Sequence, residues 1–181
     1  MTIHVRWLGT AAVAAAVWCG GCSKESKTPV KQTVEETPSA PRMLTAVNMG
    51  ESKGEKQLLT GFYAIESNAW RWTAKDFSVE LRPPAGSAVE GATLTLDISI
   101  PQVVIDKLHS VTLSASIKGT DLGSQTFSHE GPAEYRRDVP ATLLTGASVR
   151  IDFHLDKVMP PANGDQRSLG IIARSVALEA K

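Results

Sequence analysis

The chain has 181 residues, two cysteines, and 19 Lys+Arg against 19 Asp+Glu, so its formal net charge is +0. That balance excludes the basic footprint of a nucleic-acid-binding protein, and the length holds one domain behind a leader. No glycine-rich phosphate loop or dinucleotide fingerprint is present, which removes the common nucleotide enzymes.

In chain order, Arg6 precedes an apolar run of about a dozen residues that ends at Trp18 and leads into Cys19-Gly20-Gly21-Cys22. One positive charge, a short apolar stretch and small residues before a cleavage point form the pattern of a secretory signal. The run falls short of the ~20 apolar residues that a membrane-spanning helix needs. On this pattern alone, a signal peptide over residues 1–21 stands beside an uncleaved anchor as the alternative. Gly20-Gly21-Cys22 resembles the lipobox of bacterial lipoproteins. The resemblance implies cleavage after Gly21 and lipidation of Cys22 by palmitate-type acyl chains. Cys19 stands where that family usually has Leu or Val, and Cys19 as the acceptor would put bulky Trp18 at the cleavage position. By the same family's sorting pattern, Ser23 implies the outer membrane of a bacterial cell envelope. One acyl chain binds a bilayer marginally and two or more hold it stably, so an acylated Cys22 is expected to keep the protein on its membrane. Cleavage removes Arg6 and no acid, so the mature chain stays close to neutral and no basic patch for anionic lipid headgroups is expected. It also loses Cys19 and blocks Cys22, leaving a domain held by its hydrophobic core without a disulfide.

Residues 22–57 are rich in Lys, Glu, Ser, Thr and Pro and lack aromatics. Such a segment buries too little apolar surface to offset its ordering entropy, and it is expected to be a disordered linker. Residues 58–181 change character. Phe77-x-Val79-x-Leu81, Leu94-x-Leu96-x-Ile98-x-Ile100, Val111-x-Leu113-x-Ala115-x-Ile117 and Val149-x-Ile151-x-Phe153-x-Leu155 alternate apolar with polar residues. Period two predicts strands with one face in a core and one in water. Weaker strands are expected over 60–65, 69–73, 125–128, 135–139 and 169–178, with one helical turn at 102–108. Pro/Gly-rich turns separate these runs, so the fold class expected is all-β: a single β-sandwich, jelly-roll or Ig-like, of about eight strands.

Trp70-Arg71-Trp72 is the most suggestive group for binding. In a strand the two indoles point one way and Arg71 the other. They form either core packing, since aromatics supply large buried area, or a flat platform for sugar rings; an edge or partner contact is a third placement. Gly61-Phe62-Tyr63, Glu66, Trp70-Arg71-Trp72-Thr73, Asp138-Val139-Pro140 and Asp165-x-Arg167-x-Leu169-Gly170 together resemble a β-sandwich module of bacterial envelope and polysaccharide-associated proteins, sometimes appended to glycosyltransferases. The resemblance spans roughly residues 58–181 and implies a sandwich with a carbohydrate theme. Glu66, Asp165 and Arg167 are its polar members. They are candidates for sugar hydroxyls, or for a structural clamp between the first and last strands, because Arg binds carboxylates bidentately.

His109, His129 and His154 lie on separate elements without metal-ligand spacing. Arg150, Asp152, His154 and Asp156 line one strand face; alternating charge suits a solvated face, and a divalent-ion site from Asp152, His154 and Asp156 is the alternative. No Gly-x-Ser-x-Gly elbow or Ser-x-x-Lys motif occurs, and no cofactor or metal is expected. Taken together, these features suggest a lipid-anchored, non-catalytic sandwich that binds envelope carbohydrate or polysaccharide. The alternatives are a protein-interaction subunit of an envelope complex, docked by β-augmentation, and a small glycan hydrolase.

Overall fold

The structure is a computed structural model and describes residues 42–162 and 164–181. The leader, Cys22 and the first part of the expected linker lie outside these residues. Nine strands form the domain: β1 (Ala46–Asn48), β2 (Leu58–Glu66), β3 (Trp70–Leu81), β4 (Ala92–Ile100), β5 (Val111–Ile117), β6 (Thr120–Phe127), β7 (Gly131–Val139), β8 (Val149–Leu155) and β9 (Ile172–Ala180). Two short helices, α1 (Ser87–Glu90) and α2 (Gln102–Leu108), flank β4. The all-β sandwich is therefore as expected.

All ladders are antiparallel, and the strand order is β6-β5-β8-β3-β9-β4-β7. β3 belongs to both layers. Its start pairs with β9 at Arg71 and Trp72, and its end pairs with β8 from Asp76 to Leu81. The intervening Ala74 and Lys75 carry the strand from one layer to the other. β2 follows β3 along its length through three register shifts. Such bulges bend a strand, so the hairpin closes one side of the sandwich. The opposite side, where β6 meets β7, is closed by side chains. Gln125 Nε2 donates to the Glu134 carbonyl at 3.0 Å, Arg137 Nη2 donates to the Ser124 carbonyl at 2.6 Å, and the Tyr135 hydroxyl donates to the Gly123 carbonyl.

The alternating runs place their apolar residues between the layers. β5 and β8 alternate buried with more exposed positions along their whole length. Phe77 stacks on Phe153 with centroids 4.9 Å apart, and Tyr135 meets Phe153 edge-on at 6.4 Å. Each such aromatic pair adds roughly 0.5–1.5 kcal/mol beyond its area burial.

The expected linker over 22–57 is corrected at its end, because residues 42–57 are part of the fold. β1 pairs with β9, and Val47 (1% exposed) and Met49 (0%) enter the core. Gln57 is buried and substitutes for a strand. Its amide accepts from Leu44 N–H at 2.9 Å and donates to the carbonyls of Leu44 and Glu80 at 3.1 and 2.7 Å. Arg71, turned away from the two tryptophans as strand geometry requires, is buried as well. It donates to the carbonyls of Met49 and Tyr63 at 3.3 and 3.2 Å and pairs with Glu55 at 2.9 Å. A buried guanidinium needs such partners, and here they pin the 49–55 segment to β3.

Candidate functional site

The segment between β8 and β9 folds back on itself through the isolated bridges Met159↔Leu169 and Ala162↔Asp165. It docks on β3, where Gly170 N–H donates to the Thr73 carbonyl at 2.8 Å and Ile171 N–H to Thr73 Oγ1 at 3.2 Å. Gly170 is required by close approach, since a Cβ there would lie 2.4 Å from Leu155 Cδ1 and 2.7 Å from Thr73 Oγ1.

That docking sets Arg167 between two carboxylates. Its Nε donates to Asp165 Oδ1 and Oδ2 at 3.0 and 3.1 Å, Nη2 to Asp165 Oδ2 at 2.8 Å, and Nη1 to Glu66 Oε1 at 2.8 Å. The guanidinium also lies over the Tyr63 ring at 5.3 Å, and the Tyr63 hydroxyl donates to the Ser168 carbonyl at 3.0 Å. Glu66 and Arg167 thus form the expected clamp. It joins β2 to the β8–β9 segment, just ahead of the last strand. Three of the five guanidinium N–H groups are used and the side chain is 33% exposed, so two donors remain for another molecule.

Hydrogen bonds from the Arg167 side chain, then from its backbone N–H, hold the Asp165 carboxyl below its ordinary value of 3.8. The side-chain bonds to Asp165 and then to Glu66 push the Arg167 guanidinium up. A lowered folded-state value means that Asp165 stabilises the fold above pH 3.8, and that this contribution is lost as pH falls through the lower, folded value. Asp165→Asn is therefore expected to melt below wild type at neutral pH, with the gap closing in acid. A gap that stays constant from neutral pH down to about pH 2 would dissolve the linkage.

Trp70 and Trp72 share a face, but they do not form the flat platform envisaged from the sequence. Their centroids are 6.1 Å apart with rings at 83°, and Trp72 is only 9% exposed. The reason is local. Trp72 tucks its ring into the core at the strand's crossing between layers, and half-buried Trp70 packs edge-on against it. What remains accessible of Trp72 opens on a recess of about 190 Å³ lined by Val103 and Lys107 of α2 and by Asp165, Arg167 and Leu169. Of the five candidate ligand residues, the recess gathers Trp72, Asp165 and Arg167. Glu66 joins it through Arg167, and Trp70 backs Trp72. Sequence reasoning missed Val103 and Lys107; the only signal was the helical turn itself, with Val103 left 42% exposed.

A second concavity, about 320 Å³, lies on the outer face of β3, β5 and β8. Asp76, Ser78, Ser114, Ser116, Asp152 and His154 line it. His154 Nδ1 pairs with Asp76 Oδ1 at 2.6 Å, and Arg150 Nε donates to Asp152 Oδ1 at 2.7 Å. Within the exposed alternating row only Arg150 and Asp152 pair with each other, and His154 takes its partner from β3. The alternative divalent-ion site is not assembled, because Asp156 turns away to accept from Thr112 N–H at 2.7 Å. Among the described residues no three His, Cys, Asp or Glu side chains converge to hold a metal ion.

The fold defines the chain's class as an antiparallel β-sandwich. No family model and no curated protein matches it. Among solved structures it is similar to an acetyl xylan esterase (Est2A) from the rumen bacterium Butyrivibrio proteoclasticus, at 10% identity and TM-score 0.44, over 76% of this chain and 34% of that one. It is also similar to the CBM36-1 domain of a multidomain xylanase from the hindgut metagenome of Trinervitermes trinervoides, at 13% identity and TM-score 0.37, over 74% and 95%. A structure described as "CBM4 structure and function" aligns at 12% identity and TM-score 0.36, over 82% and 93%. The chain spans about a third of the esterase's length.

Proposed function

We propose that the chain is a lipid-anchored protein of the bacterial cell envelope whose sandwich binds carbohydrate without catalysis. The recess beside Trp72 carries the reading. It sets an apolar floor (Trp72, Val103, Leu169) against charged groups, Lys107 and an Arg167 that Asp165 and Glu66 hold in place with two donors left over. A sugar presents the complementary chemistry: C–H faces for the apolar floor and vicinal hydroxyls for planar donors and acceptors. The non-catalytic part rests on the state of the carboxylates. Asp165 is held as an anion and Glu66 is engaged by Arg167, whereas glycoside hydrolysis needs a carboxyl kept protonated near neutrality. The side-chain stitching of β6 to β7 counts against β-augmentation at those two edges, because it occupies the carbonyls of Gly123, Ser124 and Glu134.

The test has two independent arms. On a glycan array the protein is expected to bind at least one envelope glycan, and Val103→Asp, at the partly exposed α2 side of that floor, is expected to weaken that binding at least tenfold with an unchanged melting curve. No glycan bound, or binding indifferent to Val103→Asp, sinks the carbohydrate reading. For the anchor, Cys22→Ala is expected to leave an unprocessed precursor that incorporates no labelled fatty acid. Labelling and processing that survive this substitution would remove Cys22 as the acceptor.

A further inference from the structure

An apolar concavity lies far along the chain from the recess, at residues 42–57. It measures about 440 Å³ and is lined by residues 42–44 and 52–57. Half-buried Met43 and Leu44 supply its apolar part, and exposed Arg42, Lys53 and Lys56 surround it. Its one acidic lining residue, Glu55, is paired with buried Arg71 at 2.9 Å. Glu51, on the same turn, is exposed and is the only other acid between Arg42 and Gln57. A neighbouring recess that shares Glu55 presents Leu59, 39% exposed.

We propose that this end of the domain docks on an anionic bilayer surface, with Arg42, Lys53 and Lys56 at the phosphates and Met43, Leu44 and Leu59 entering the headgroup boundary. The proposal rests on the membrane-anchoring part of the reading above and is independent of the carbohydrate part. Two observations select a bilayer over other occupants. The first is charge complementarity: a chain without net charge concentrates three exposed cations around this apolar concavity, and the acid among them is already paired. Basic side chains around an apolar patch suit the lipid interface, where stems and apolar residues enter the acyl boundary and charges stay at the phosphates. The second is position. Arg42 lies 20 residues after Cys22, and a chain of that length reaches at most ~70 Å. An anchor at Cys22 therefore keeps this face within that reach of the membrane and raises its effective concentration there.

Amide hydrogen exchange on the full-length chain reconstituted in vesicles tests the idea. Vesicles are kept in large excess over protein, so the result does not depend on lipidation. Vesicles of phosphatidylcholine alone are compared with vesicles of equal parts phosphatidylcholine and phosphatidylglycerol. Residues 42–59 are expected to gain protection only with phosphatidylglycerol. The gain should fall about fivefold for each cation removed and vanish in Lys53→Glu/Lys56→Glu, while exchange in β4, β5 and β8 stays unchanged. Equal exchange in the two vesicle types overturns the proposal. So does protection that persists in the charge-reversed variant, which would assign the concavity to a purely apolar occupant. The bonded amides of β1 and Met49 are protected with or without vesicles, but protection of Ser52, Lys53 and Lys56 already present without them assigns the concavity to another segment or a second copy, and overturns the proposal equally.

Discussion

Trp72→Ala is expected to cost about 3–5 kcal/mol, and Trp70→Ala clearly less. Trp72 is 9% exposed and belongs to the core, where truncation removes a large buried area and leaves a cavity at the point where β3 crosses between layers. Trp70 is half-buried and packs on that core from outside. Its removal forfeits part of an indole's burial and an edge-to-face contact worth ~0.5–1.5 kcal/mol. For a domain of this size the first change should lower the melting temperature by roughly 10–20 °C. Thermal melts of the two single variants are sufficient to check it. Equal, small shifts would mean that both rings lie on the surface, and would restore the flat aromatic platform that the 83° ring angle argues against.

The contrast between these two residues also marks how far the sequence could be read. Period two placed Trp70 and Trp72 on one face and Arg71 on the other, because strand geometry fixes side-chain direction. Nothing in the spacing fixes the ring planes, which depend on χ angles chosen by packing. The four alternating runs became β4, β5, β8 and the second half of β3 for the same reason: each has one face between the layers. β3 looked like two strands because Ala74, Lys75 and Asp76, in its middle, leave the core as the strand changes layers. For β1 the sequence offers a short strand or helix around Met43–Val47 only as a weaker alternative to the linker, because three residues show too little alternation, although Val47 and Met49 are buried in the core. The Glu66–Arg167 pair was legible as chemistry, since the residue types suit a bidentate clamp. Its partners are 101 positions apart, and only the docked β8–β9 segment could show that Asp165 shares the same guanidinium. The concavities were illegible for a common reason. They arise from curvature and from segments crossing one another, neither of which has a local signature.

The bend that shapes the sandwich leads to the other large effect, at Gly61. This residue sits at φ 74° among the register shifts of β2, in the left-handed region that side chains other than glycine rarely adopt. A Cβ there would lie 2.1 Å from the Asp76 carbonyl oxygen and 2.6 Å from Phe77 Cα. Both are backbone atoms of the strand to which β2 is bonded. β3 cannot yield easily, because Phe77 is clasped between Phe62, edge-on at 5.3 Å, and Phe153, stacked at 4.9 Å. Gly61→Ala must therefore separate the hairpin or displace the aromatic stack, and it is expected to destabilise the fold by more than ~3 kcal/mol. Gly119, in the turn between β5 and β6, provides the control. Its φ is 79°, and a Cβ there would meet nothing within 4 Å. Gly119→Ala measures the torsional cost alone, about 1–2 kcal/mol, and the excess at Gly61 measures the clash. Chemical denaturation of both variants gives that difference directly. If the two substitutions cost the same, β2 does not approach β3 as closely as described, and the hairpin does not close that side of the sandwich.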